Sequence, residues 1–327
     1  MQKNCSLGVL VAVSSIALIA CTSTVRAPSS AQTTPGAGWQ LSTTNTGLAR
    51  LGLQCGSLPA YTGPTRPAAG TVISKVRFTS PIILSAGNII IEQSCMQPTT
   101  AWQGLPLMST TDNNTGAIAP STVTIRDSEI DGSKLSAYDA AMTTGFIGIA
   151  NLQRNYIHDV GSGIGLMNTG KSLNSIVEGN YIRGLRAYGD GATTGNHSDA
   201  FTVRDFDAKT TPGRTLVVRN NRFNCDSANA TGAFFVQTYS GNIQNLTLQN
   251  NLLEGGGYQL GLESGFGNTY SNLSASNNRF TGTGWGAAYV QGGPGWASWT
   301  ENYLNDATAQ NDIGTPVSEP PLGGSTT

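Results

Sequence analysis

The sequence predicts an all-β chain wound as a single-stranded, right-handed parallel β-helix, a solenoid in which each coil rests on the one before. Three observations predict it. Charged residues are only 11% of the 327 residues while glycine alone supplies 41, which disfavours a helical bundle and favours short strands joined by turns. A short alternating strand followed by Asn and a large residue recurs seven times, with no helical period inside the unit. The copies follow one another at a spacing that suits one coil of such a solenoid, whereas the dense leucines of a leucine-rich repeat and the longer blade of a propeller are missing.

In chain order, the first element is an export signal at 1–20. Lys3 precedes an apolar stretch from Leu7 to Ala20, which has signal-peptide length and is too short to span a bilayer. It ends in Leu18-Ile19-Ala20-Cys21, which resembles the bacterial lipobox. The resemblance implies that Cys21 is lipidated and that the product is an exported lipoprotein anchored to the bacterial cell envelope. Residues 21–38 are rich in Ser, Thr, Pro, Ala and Gly, a composition that suits a flexible tether. Loss of residues 1–20 removes Lys3 alone, leaving 17 Lys and Arg against 19 Asp and Glu. No basic stripe appears, so nucleic acid is not an expected partner. Three cysteines then remain in a compartment that permits disulfides: Cys55 is expected to pair with Cys95, and Cys225 to be a buried free thiol. Their spacing matches no zinc site.

The solenoid domain is expected over residues 39–306, with an N-terminal cap. Its repeating unit reads Val123–Ile130, Ala150–Ile157, Ser175–Ile182, Leu216–Phe223, Leu246–Leu253, Leu273–Phe280 and Ala297–Leu304. Aligning the units gives a column of Ser128, Asn155, Asn180, Asn221, Asn251, Asn278 and Asn302, with steps of 27, 25, 41, 30, 27 and 24 residues. Asn suits such a corner because it tolerates left-handed backbone angles and because like amides in successive coils can stack and hydrogen-bond. Over about residues 70–305 the chain resembles the right-handed parallel β-helix superfamily that includes the pectate lyases and polygalacturonases. The resemblance lies in architecture and repeat, and it implies the fold. The Asn-Thr-Asp, Asp-Asp and Gly-His-Gly runs of the polygalacturonases are missing from this sequence.

A second strand lies between the repeats, in copies Gly163–Asn168, Asp199–Arg204, Gly232–Gln237, Tyr258–Glu263 and Gly286–Gln291. Met167, Val203, Val236, Leu262 and Val290 are uniformly apolar and are expected to face the core; alternation then turns their neighbours outward. One outward column is Leu166, Thr202, Phe235, Gly261 and Tyr289, and the other is Asn168, Arg204, Gln237, Glu263 and Gln291. With strands about 4.8 Å apart, Arg204 and Glu263 are expected roughly 9 to 10 Å from one another with Gln237 between them. Phe235, Tyr258, Tyr289 and Trp285 are poorly placed in water without a ligand, and flat rings beside amides suit sugar faces and hydroxyls. The 41-residue step beside this stripe carries His197 and Asp199, and His158 with Asp159 lies on a neighbouring turn.

These residues predict a cell-surface polysaccharide-acting enzyme, a lyase or a glycoside hydrolase, with a non-catalytic glycan-binding or adhesion protein as the alternative. A lyase acting on a uronate polymer needs a cation, for which Arg204 is the candidate, and a base, for which His197 and Tyr239 are candidates. A hydrolase needs two carboxyl groups, and Asp199, Asp205, Asp190 and Glu263 are available. Gln237, Tyr239, Phe235, Tyr258, Tyr289, Gln291 and Trp285 are the expected substrate contacts. No segment matches a calcium repeat or an EF-hand loop, so no cofactor or metal is expected, with calcium held by loop carboxylates as an alternative that no motif supports. A monomer is expected, with a glycan as partner and the membrane met through the lipid anchor alone. Trp285, Trp296 and Trp299 are expected to cap the last coil, with sugar stacking as the lesser reading for Trp296 and Trp299. The Thr-, Pro- and Gly-rich tail at 307–327 is expected to be disordered.

Overall fold

Val, Ile, Leu and Phe at alternate positions build three long sheets in the computed structural model, which describes residues 36–102 and 104–326. The export signal, the lipidation of Cys21 and the tether up to residue 35 lie outside the described residues. One coil consists of Asn151–Gln153 in the first sheet, Tyr156–His158 in the second and Ser162–Leu166 in the third. The next coil repeats the order with Ser175–Glu178, Tyr181–Arg183 and Ser198–Val203, and each strand pairs in parallel with its predecessor. Among the described residues the sheets hold nine, ten and nine strands, an arrangement consistent with a β-solenoid.

Each sheet lines the core with a column of large apolar residues, one from each coil. Ile125, Leu152, Val177, Val218 and Leu248 stack in the first sheet, Ile130, Ile157, Ile182, Phe223 and Leu253 in the second, and Phe146, Ile164, Phe201, Phe234 and Leu260 in the third, all buried. The corner between the first two sheets is the Asn column. Each side-chain oxygen accepts from the backbone N–H and the amide of the preceding coil's Asn, as from Asn221 to Asn251 at 2.9 and 3.0 Å. The ladder runs unbroken from Asn155 to Asn302. The left-handed backbone falls one residue earlier than expected, at Asp127, Arg154, Gly179, Asn220, Asn250, Asn277 and Glu301. The column Asn is thereby freed to turn its amide inward, where an unpaired polar group would be destabilising.

Two ends of the chain depart from the sequence expectation. The tail does not dangle: Ile313–Pro316 pairs antiparallel with Tyr303–Asn305, and Gly324–Thr326 pairs antiparallel with Gly286–Gln291. Open strand edges on the last coil need partners, and the Pro and Gly that suggested disorder supply the reversals that let the tail return to them. Trp299 donates to the Val317 carbonyl and packs on Phe280 and Trp296, closing the core. The N-terminal segment is a strap along the stack. Gly38 donates to the Asn250 carbonyl, the Leu41 carbonyl accepts from Arg222, Gly47 donates to the Arg154 carbonyl and Arg50 pairs with Asp127. Trp39 lies under the Arg279 guanidinium at the strap's far end, and the disulfide Cys55–Cys95 fastens its near end to the second sheet.

The 41-residue step holds two excursions, residues 184–197 and 204–215. Arg214 anchors the second. Its buried guanidinium donates to the carbonyls of Thr169, Gly170, Leu173 and Asp207 and sits 3.9 Å from the Phe206 ring centre.

Candidate functional site

The third sheet's outer face carries the site. Leu166, Val203, Val236, Leu262 and Val290 are in register and buried, so the first copy of the strand lies one residue away from the sequence alignment. Gly165 and Met167, rather than Leu166 and Asn168, therefore belong to the outer columns. Farther up each strand the alternation breaks. Ala200 and Phe201, Ala233 and Phe234, Gln259 and Leu260, and Ala287 and Ala288 are successive pairs that are all fully buried. This irregularity turns Asp199 and Tyr258 to the outer side, where Asp199 Oδ2 stands 3.8 Å from the Arg204 guanidinium and the Tyr258 ring 4.6 Å from that of Tyr289.

Arg204, Gln237 and Glu263 lie side by side as the repeat predicts. Arg204 donates to Gln237 Oε1, Gln237 donates to Glu263 Oε2 at 2.5 Å, and the Tyr289 hydroxyl donates to Glu263 Oε1 at 2.5 Å. Gly261 makes this geometry possible, since a Cβ there would stand 2.7 Å from the Tyr289 ring and 2.8 Å from that of Phe235. Phe235 is buried beneath Arg204, with 5.0 Å between guanidinium and ring centre, and Tyr239 lies 5.9 Å away on its exposed side.

Asp199 is 6% exposed and its Oδ1 has no hydrogen-bond partner among the described residues. Burial raises its pKa; Arg204 and the Gly232 N–H pull it down and Glu263 pushes it up, with a net result of about 6. Burial and Glu263 also raise the Tyr289 phenol, which keeps its proton on the oxygen. Beside this chain opens a groove of about 480 Å³, walled by Tyr258, Glu263, Trp285, Tyr289 and Gln291 and by Gly323 to Ser325 of the returning tail.

Three candidates stand elsewhere. Asp205 is a turn staple: its carboxylate accepts the N–H groups of Asn168 and Thr169 and the hydroxyls of Thr169 and Ser240. His197 is exposed, its ring makes no hydrogen bond among the described residues, and it is outside the groove walls. Asp190 caps its own loop through the Ala192 N–H. The tail residues and Phe266 escaped the sequence reading. Phe266, 67% exposed, packs edge-on against Tyr239, and the signal that marks it is a bulky residue held at φ 58° between two glycines.

The second sheet carries another cluster, in which ligand atoms of Glu129, Asp131 and His158 lie within 4.8 Å of one another. Hydrogen bonds already fill it. His158 bonds Asp159 through Nδ1 and Glu129 through Nε2, while Asp131 accepts from Gln97 and from the Ser133 N–H. Burial lowers the imidazole pKa, but the bonds to Asp159 and Glu129 and the charge of Asp131 outweigh it and raise the value to about 9. The cluster is a partly buried imidazole ringed by carboxylates that favour its protonated form. Compared with known proteins, the chain matches no family model, no curated protein and no solved structure.

Proposed function

We propose that the chain is a cell-surface enzyme that hydrolyses an extended glycan, and that its solenoid is a right-handed parallel β-helix of the pectin-lyase-like kind. One observation carries the reading: Asp199, a buried carboxyl, stands 3.8 Å from Arg204, which is bonded through Gln237 to a second carboxylate, Glu263, in the wall of an aromatic groove. Glycoside hydrolysis needs one carboxyl that still holds a proton for the leaving oxygen and another that is ionised to assist the incoming water. Asp199 takes the first role and Glu263 the second. Gln237 and Tyr289 fix the two oxygens of Glu263, and Arg204 fixes Gln237. Tyr258, Tyr289 and Trp285 offer ring faces to the sugar, with Gln291 at the rim and Phe235 and Tyr239 sandwiching Arg204. Elimination from a uronate chain, with Arg204 as cation and His197 or Tyr239 as base, is the weaker chemistry because Arg204 is already bonded to Gln237, faces Asp199 and is stacked over Phe235.

A non-catalytic glycan-binding or adhesion role is favoured by a different observation: Asp199 is 6% exposed, closed in beneath Arg204. The two are separated by a screen of polysaccharides for new reducing ends, with ultraviolet detection of unsaturated uronates. Hydrolysis predicts reducing ends without the chromophore, lost in Asp199→Asn and Glu263→Gln with the thermal midpoint kept. Retention of a glycan without product supports binding alone, and neither retention nor product sinks both readings.

A further inference from the structure

We propose that the groove seats a positively charged amine, so that the glycan it takes is a polymer of hexosamines with free amino groups. The inference rests on the glycan reading above for the sugar, and on the groove walls for the charge. Three rings converge there: Tyr258 and Tyr289 at 4.6 Å between centroids with a 44° tilt, and Tyr258 and Trp285 at 5.7 Å and 71°. Ring faces carry negative charge density and attract a cation held within about 6 Å of the centroid. Trp285 is 73% exposed, a large apolar surface left open beside the other two.

The charge of the groove agrees with the rings. Glu263 is the one ionisable acid in the wall, and the remaining lining residues include no Lys, Arg or His. Arg204, the cation of the stripe, is bonded to Gln237, faces Asp199 and is stacked over Phe235, outside the groove wall. Glu263 thus brings an uncompensated negative charge to the cage. Gln237 and Tyr289 take one lone pair from each of its oxygens, which leaves acceptor capacity for the N–H groups of an ammonium. A uronate would set carboxylate against carboxylate here, and an N-acetylated sugar would bring no charge to a site built for one.

The test is calorimetric titration of the purified full-length protein at pH 6 with glucosamine oligomers, with the same oligomers N-acetylated, and with tetramethylammonium. The free-amine oligomer is expected to bind about tenfold or more tightly than its acetylated form, with affinity that falls as salt rises. Glu263→Gln and, separately, Trp285→Ala are expected to abolish the preference while leaving the thermal midpoint unchanged. Equal affinity for both oligomers overturns the amine and leaves the glycan reading standing. Binding of tetramethylammonium, sensitive to Glu263→Gln, without binding of any sugar upholds the cation cage and overturns the glycan reading. No binding of any of the three overturns both.

Discussion

Asp199, buried, and His158, partly buried, are ionisable groups whose surroundings shift them in ways a titration can read. The Asp199 pKa is raised from 3.8 to about 6, so the native state holds its proton more tightly than the unfolded chain. Its contribution to stability is therefore present below pH 4 and is lost as pH rises through 6. Asp199→Asn is expected to flatten the stability profile between pH 4 and 6.5 in urea titrations. A wild-type slope no different from the variant's in that window would rule out the raised pKa. If Asp199 is the acid, hydrolysis by the wild type also fades as pH rises past 6. His158 has the same sign at higher pH: raised from 6.5 to about 9, it stabilises fully below pH 6.5 and loses that effect as pH rises through 9. His158→Gln is expected to lower stability at pH 6 by about 2–3 kcal/mol and to match the wild type above pH 9.5, measured by denaturant unfolding at both values.

Strands and corners carry most of what the sequence made legible, because a solenoid writes each coil beside the last. The Asn column is the clearest case. Asn251 is fully buried, donates to Asn278 Oδ1 and to the Val218 carbonyl, and accepts from Asn221 twice. Asn251→Ala leaves those partners unsatisfied and is expected to cost about 3 kcal/mol or more, read as a lower denaturant midpoint; a change under about 1 kcal/mol would mean that the amides are spectators. The same repetition placed Arg204, Gln237 and Glu263 on one face. It failed at Leu166, where the apolar Met167 beside it let the first copy be aligned one residue too far along, and at Asp205, whose turn contacts come from residues more than thirty positions away. Asp199 was found for its type and neighbourhood, whereas its burial depends on packing that no local pattern encodes.

At the scale of the whole chain, composition misled where long-range contact decided. The tail reads as Gly- and Pro-rich yet completes two sheets and supplies a groove wall, and the segment before the first coil runs as a strap along the stack. Cys55 and Cys95 close a loop of 40 residues. Removing the bridge as the double Ser variant is expected to cost about 4 kcal/mol in chemical denaturation, with a thermal midpoint that no longer responds to reductant. The strap also sets an order of events. Its earliest residues find their seats against Asn250 and Arg279, and Leu41 is held by Arg222 across 181 positions of chain. Local strand pairing can proceed from either end, but this latch stays open until nearly every coil exists. A copy ending before Arg222 would hold the strap at Gly47, Arg50 and Cys55 but leave Gly38, Trp39 and Leu41 without their seats, so that stretch alone would stay open to proteases.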